Sequence, residues 1–122
     1  MKKFLQGFGF AINGWKAFYK TQFNGKVHIL IAMMIIIIGI IAGISKTEWI
    51  LIFLTIGMVI ITEMINTAIE FTCNFISKEY HTEIKTIKDL SAGAVLLSAI
   101  IAVIVGVLIF APYFFELIQK IL

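Results

Sequence analysis

Three long apolar runs decide what this chain can become. Val27 to Ile44 is interrupted only by His28, a second run opens at Trp49 and stays apolar to Ile61 apart from Thr55, and a third extends from Ser91 to Phe115. Each approaches the roughly 20 apolar residues that a helix needs to cross the hydrocarbon of a bilayer. With 61% of its 122 residues hydrophobic and only 14% charged, the chain holds more apolar surface than a water-soluble fold can hide. The second run carries no Gly or Pro break beyond Ile61, so its helix should continue to about residue 76. The sequence therefore predicts one all-α membrane domain over 1–122, with transmembrane helices at about 27–44, 49–76 and 90–115. Three helices enclose little interior, so a binding site of useful size calls for surfaces from more than one subunit, and a homo-oligomer is expected.

Ahead of the first span, Phe4, Leu5, Phe8, Ala11, Ile12, Trp15, Phe18 and Tyr19 recur at the spacing of one helical face. Lys2, Lys3, Gln6, Asn13, Lys16 and Lys20 fall largely opposite. This pattern predicts an amphipathic helix over about 2–22 lying in the membrane interface. Its glycines 7, 9 and 14 weaken intrinsic helicity, so the lipid surface must help to fold it. No cleavable leader is apparent, and the first span is expected to remain in the mature protein. The net charge of +3 points to anionic lipid headgroups, not to nucleic acid. Lysines 2, 3, 16, 20, 26, 78, 85 and 88 fall on one side of the three crossings, and only Lys46 and Lys120 on the other. The positive-inside rule then places the N-terminus and the polar 77–89 loop in the cytoplasm and the C-terminus outside a multi-pass plasma membrane.

Glu63, Asn66, Glu70 and Asn74 are spaced by three, four and four residues, which keeps them on one narrow stripe of a helix. An ionisable group inside a membrane costs about 2.5–3.5 kcal/mol on insertion scales, so two on one stripe ask for a metal, a proton or a ligand in return. The plainer reading is a helix that has reached headgroup depth. The stripe lies at the lysine-rich end, where cytoplasmic ATP is available. Lys88-Asp89 stands where the third span begins, beside the small residues Ser91-Ala92-Gly93-Ala94 that permit close helix approach or room for a ligand. Other signals carry little. Cys73 is single, so no internal disulfide or Cys-based zinc site forms, and His28 and His81 lack metal-ligand spacing. Gly43-Ile-Ser-Lys46-Thr47 has the wrong glycine spacing for a phosphate loop. A non-catalytic ion-pathway subunit is the rival class, but the first span has no carboxylate and the third has Asp89 and Glu116 only at its ends. No polar path crosses the membrane.

The run Glu63-Met-Ile-Asn66-Thr67-Ala68-Ile69-Glu70 resembles the signature of the small prokaryotic diacylglycerol kinase family, which includes undecaprenol kinases. The resemblance extends to Gly14 with Lys16, Thr21-Gln22-Phe23-Asn24 with Lys26 and His28, Glu79-Tyr80-His81, and Lys88-Asp89 with Ala92-Gly93-Ala94. It implies a homotrimer of three-span subunits with interfacial N-terminal helices, in the bacterial inner membrane, with active sites shared between neighbours. It implies an ATP-dependent lipid kinase using Mg²⁺, with diacylglycerol as the expected acceptor, giving phosphatidic acid, and undecaprenol as the alternative, giving undecaprenyl phosphate. By position, Glu63 would be the general base with Asn66 beside it, and Glu70 and Gln22 would face the metal. Glu79, Tyr80, His81, Lys88 and Asp89, with Lys3 and Phe10, would hold the nucleotide, while Asn24, Lys26, His28 and Ala92 would border the lipid. Gln22 and Asn74 stand where family members usually carry carboxylates, so weaker Mg²⁺ affinity is expected.

Overall fold

The computed structural model describes residues 1–122, with the side chain of Lys2, expected on the basic face of the first helix, outside the described set. The chain is all helical: α1 Lys2–Thr21, α2 Phe23–Ala42, α3 Lys46–Ile76 and α4 Thr82–Ile121. The last three are each long and apolar enough to cross a membrane.

Local chemistry marks each boundary. Gln22 alone separates α1 from α2, its backbone extended at φ −108° and ψ 113°. Gly43 ends α2 in the left-handed region at φ 67°, and the Gly43 and Ile44 N–H groups both donate back to the Gly39 carbonyl. A side chain at Gly43 would cost about 1–2 kcal/mol in that conformation. Ser45 and Glu48 then start α3 by reciprocal capping: the Ser45 N–H donates to Glu48 Oε2 (2.7 Å) and the Glu48 N–H to Ser45 Oγ (3.4 Å). The polar 77–89 segment is read from sequence as a loop, yet the irregular connector covers only 77–81. Thr82 to Asp89 instead form the first turns of α4. Glu83 lies in the first turn, Thr86 Oγ1 donates to the Thr82 carbonyl, and Lys85 pairs with Asp89 one turn on. Those pairings suit a helix continuing into water beyond the apolar run. Pro112 does not end α4, which proceeds to Ile121.

The most extensive packing joins α3 to α4, with α2 laid against α3 and α1 touching α2. A hydroxyl pair, Thr62 with Ser98 at 2.9 Å, bridges α3 and α4. Away from the lysine-rich end, Ile44, Ile52 and Ile109 make the apolar core with Trp49 and Tyr113 packed against them. Trp49 lies so close to Gly39 that an added Cβ would meet the ring at 2.9 Å. Tyr113 donates to Glu48 Oε2 at 2.7 Å, tying α4 to the α2–α3 turn. Most large apolar side chains of the spans, Phe53, Leu54, Ile104 and Leu108 among them, remain exposed on the single chain, as surfaces facing lipid or a neighbour must be.

Among the described residues of α1 only Phe18 is buried, its ring seated on Gly25 of α2. Gly25→Leu should therefore push Phe18 off α2, at an overpacking cost of about 1–3 kcal/mol. Tryptic cleavage after Lys16 and Lys20 should accelerate while α2–α4 stay protected. Unchanged cleavage would show that the Phe18–Gly25 contact does not hold α1.

Candidate functional site

The α3 stripe forms as the spacing requires, and its four members differ in burial. Glu63 is 3% and Asn66 8% exposed, Glu70 is half-buried and Asn74 is exposed. The stripe thus leads from the packed interior toward the surface. Thr67, also buried, donates its hydroxyl to the Glu63 carbonyl at 2.9 Å and so satisfies its own polar group within α3. The His28 and Glu70 side chains both lie within electrostatic reach of the Glu63 carboxylate.

The orientation of Asn66 comes from α4. Ser91 Oγ donates to Asn66 Oδ1 at 2.6 Å, which turns Asn66 Nδ2 toward Glu70 Oε1 at 3.5 Å. A flipped amide would set oxygen against the Glu70 carboxylate and its N–H₂ against the serine hydroxyl's proton. The same Ser91 hydroxyl lies 2.9 Å from the Lys88 carbonyl. One turn nearer the connector, Lys88 Nζ donates to Asn74 Oδ1 at 2.7 Å. Sequence reasoning treats Ser91 only as a small residue. Its hydroxyl matters because the α3–α4 register sets it opposite Asn66, and that register is invisible in the sequence.

Beside the stripe, Glu79, Tyr80, His81, Lys88 and Asp89 come together around a shallow pocket of about 320 Å³, joined by Ile84 and Lys85. Five of the seven residues expected at a nucleotide site thus meet there, Glu79, Tyr80 and His81 from the connector and Lys88 and Asp89 from the start of α4. Tyr80 is 78% exposed, leaving its ring free to stack. Lys85 and Asp89 neutralise each other across one helical turn.

The remaining candidates stand apart from this pocket within one chain. Lys3 and Phe10 are exposed on α1, Gln22 is half-buried at the α1–α2 break, and Asn24, Lys26 and Ala92 are exposed. Lys26 Nζ sits over the Tyr19 ring, 5.4 Å from its centroid. His28 is half-buried at one end of a larger apolar cavity of about 440 Å³, lined along its length by residues such as Ala32, Ile56, Val59, Ala102 and Gly106. Among the described residues, no three His, Cys, Asp or Glu side chains gather to hold a metal. Glu70 by itself offers an oxygen donor suited to Mg²⁺, which is commonly held by one or two carboxylates together with substrate phosphates, whereas Asn66 turns its N–H₂ and not its oxygen toward Glu70.

The arrangement therefore joins a buried carboxylate able to accept a proton, a more open carboxylate able to meet a cation, and a lysine bordering a surface pocket. Residues 9–110 match the family model described as prokaryotic diacylglycerol kinase. An undecaprenol kinase of Bacillus subtilis (strain 168) is 38% identical over 112 residues, covering 92% of this chain and 91% of that protein. A diacylglycerol kinase of a Synechocystis species is 34% identical over 109 residues, 88% of this chain and 62% of that protein. A diacylglycerol kinase of Pseudomonas aeruginosa is 26% identical over 94 residues, 77% of this chain and 76% of that protein.

Proposed function

The chain belongs to the prokaryotic diacylglycerol kinase family and is a membrane lipid kinase with ATP as co-substrate; from that premise we propose that its acceptor is undecaprenol, phosphorylated at its terminal hydroxyl to undecaprenyl phosphate. The observation that carries this choice is the match to the Bacillus undecaprenol kinase, which runs through nine-tenths of both chains. It moves the reading away from the diacylglycerol favoured on sequence alone. Diacylglycerol stands as the second reading, supported by the Synechocystis and Pseudomonas relatives.

The site chemistry follows from its burial. Glu63, nearly sealed from water, takes the proton from the lipid hydroxyl. The hydroxyl oxygen then bonds to the γ-phosphorus of ATP while the bond from that phosphorus to the β,γ-bridging oxygen breaks, releasing ADP. A carboxylate placed beside the lipid hydroxyl can take its proton as the new bond to phosphorus forms. Asn66, held by Ser91, orients the reacting groups. Glu70, with Gln22 as a weaker oxygen donor, would hold Mg²⁺, whose charge offsets that of the phosphates. Lys88 faces the phosphates from α4, and Glu79, Tyr80, His81 and Asp89 cradle the rest of the nucleotide around their pocket. The lipid enters sideways past Asn24, Lys26, His28 and Ala92 with its tail still in the bilayer.

The same reading places α1 in the interface and the stripe at the cytoplasmic side of the inner membrane, supported by the lysine asymmetry. It takes the assembly as a homotrimer in which neighbours complete each site. The exposed apolar faces of the spans and the separation of Gln22, Asn24 and Lys26 from the pocket support it.

The test is a direct comparison. Purified protein in mixed micelles with labelled ATP and Mg²⁺ should phosphorylate undecaprenol with the higher kcat/KM. A higher value for diacylglycerol would select the second reading, and inactivity with both would remove the kinase assignment.

A further inference from the structure

We propose that the apolar cavity between α2, α3 and α4 is a single-chain slot that receives the isoprene units next to the acceptor's hydroxyl; this rests on the undecaprenol reading above. The cavity of about 440 Å³ begins at His28, which lies within electrostatic reach of the Glu63 carboxylate, and at Val59 and Ile60, one helical turn before Glu63 on α3. It then follows α4 from Ala99 to Phe110, roughly 16 Å at the helical rise and so about half of a hydrocarbon layer about 30 Å thick. Its far end closes where Ile35 and Phe110 pack against the core of Ile44, Ile52 and Ile109.

The lining chemistry selects the occupant. Apart from His28 at the mouth, Thr55 is the only polar residue on the wall among the described residues, and its hydroxyl is already bonded to the Leu51 and Ile52 carbonyls. The slot therefore offers polar contact at one end and hydrocarbon below, as an alcohol with a single long tail requires. Gly106 keeps it open. A Cβ added there would meet nothing within 4 Å, so this glycine serves no close helix approach, although it costs the helix about 1 kcal/mol relative to alanine. Ile31 on α2 and Val103 and Val107 on α4 stand exposed along the rim. A chain can thus slip in from the bilayer, and the rest of a long tail can leave the same way. Spread over its length, the volume describes a slot much narrower than the about 10–12 Å of a helix with its side chains, so a neighbouring subunit's helix does not fill it. Diacylglycerol would bring two chains to one slot. Passing from lipid into the slot exchanges one apolar medium for another and adds little affinity. The gain is position, because a seated chain holds its hydroxyl beside Glu63.

Full-length wild type and Gly106→Leu should be assayed in lipid nanodiscs with ATP and Mg²⁺ on two alcohols. Geraniol ends short of Gly106, which lies roughly 10 Å along α4 from Ala99, whereas undecaprenol passes it. Gly106→Leu should lower the ratio of kcat/KM, undecaprenol over geraniol, about tenfold, as a small misfit does in an apolar pocket. An unchanged ratio overturns the proposal. If the variant does not assemble, a cross-link on the wild type carries the test: geranylgeraniol with a photoreactive group at its chain end should mark residues 52–56 or 102–110, and excess undecaprenol should suppress the mark. Marking that undecaprenol does not suppress would give the slot to bilayer lipid, and no marking there would give it to a neighbouring subunit; either overturns the proposal. A wild type that phosphorylates diacylglycerol but neither alcohol removes the undecaprenol reading instead, and the cross-link then decides the slot.

Discussion

Glu63→Gln is expected to insert and assemble like the wild type and to lose phosphoryl transfer by about 10²–10⁴-fold, the usual contribution of a positioned general base. The substitution isolates one property. Glutamine matches the volume of glutamate, so the packing around a side chain only 3% exposed should survive. The Thr67 hydroxyl bonds to the backbone carbonyl of residue 63, not to its carboxylate, and that link is retained. What disappears is the ability to take a proton from the lipid hydroxyl. Because an amide is less costly to bury than a carboxylate, the variant should be at least as stable as its parent. Turnover in micelles, measured beside gel-filtration size and melting temperature, makes the check. A stable variant that keeps its rate would remove Glu63 from the role of base.

Glu70→Gln should reduce turnover by about 10²–10³-fold at ordinary Mg²⁺, in keeping with the several kcal/mol of charge stabilisation a metal supplies in such reactions. Raising Mg²⁺ should recover part of the loss, because a neutral oxygen still coordinates but binds more weakly. The Asn66 side chain can still donate to the glutamine oxygen, so the stripe should keep its shape. Rate measured against Mg²⁺ concentration separates this from a structural effect. An activation curve with an unchanged midpoint would place the metal elsewhere.

Much of this was legible before any coordinates, for reasons that differ from part to part. The spans follow from a demand that tertiary packing cannot overrule: backbone polar groups in hydrocarbon must be satisfied within a helix. The stripe follows from helical periodicity alone, which carries Glu63, Asn66, Glu70 and Asn74 onto one face. The polar start of α4 was not legible as helix, because its composition is that of a solvated connector. It is held by spacings that composition conceals, the Lys85–Asp89 pair and the Thr86 hydroxyl bond. Ser91 and Asn74 show the other limit. Each acts through a partner on another helix, and which residue faces which depends on the α3–α4 register. Burial corrects the apparent equality of the stripe: Glu63 and Asn66 are sealed, whereas Asn74 is exposed and bonded outward to Lys88.

The contacts that tie Ser45, Glu48 and Tyr113, with Trp49 lodged against Gly39, lie at the end of the bundle opposite the stripe. A cell lives on the ion gradients its membrane maintains, and an enzyme that loosened at both faces would leak them. Here the hydroxyls beyond the stripe are already engaged, Thr62 with Ser98 and Thr55 with the Leu51 and Ile52 carbonyls of its own helix. Each of these hydroxyls has its partner within α3 or between α3 and α4. The candidate site thus stands at one face, with a buried apolar layer that includes Ile52, Val59 and Ile109 between it and the opposite end.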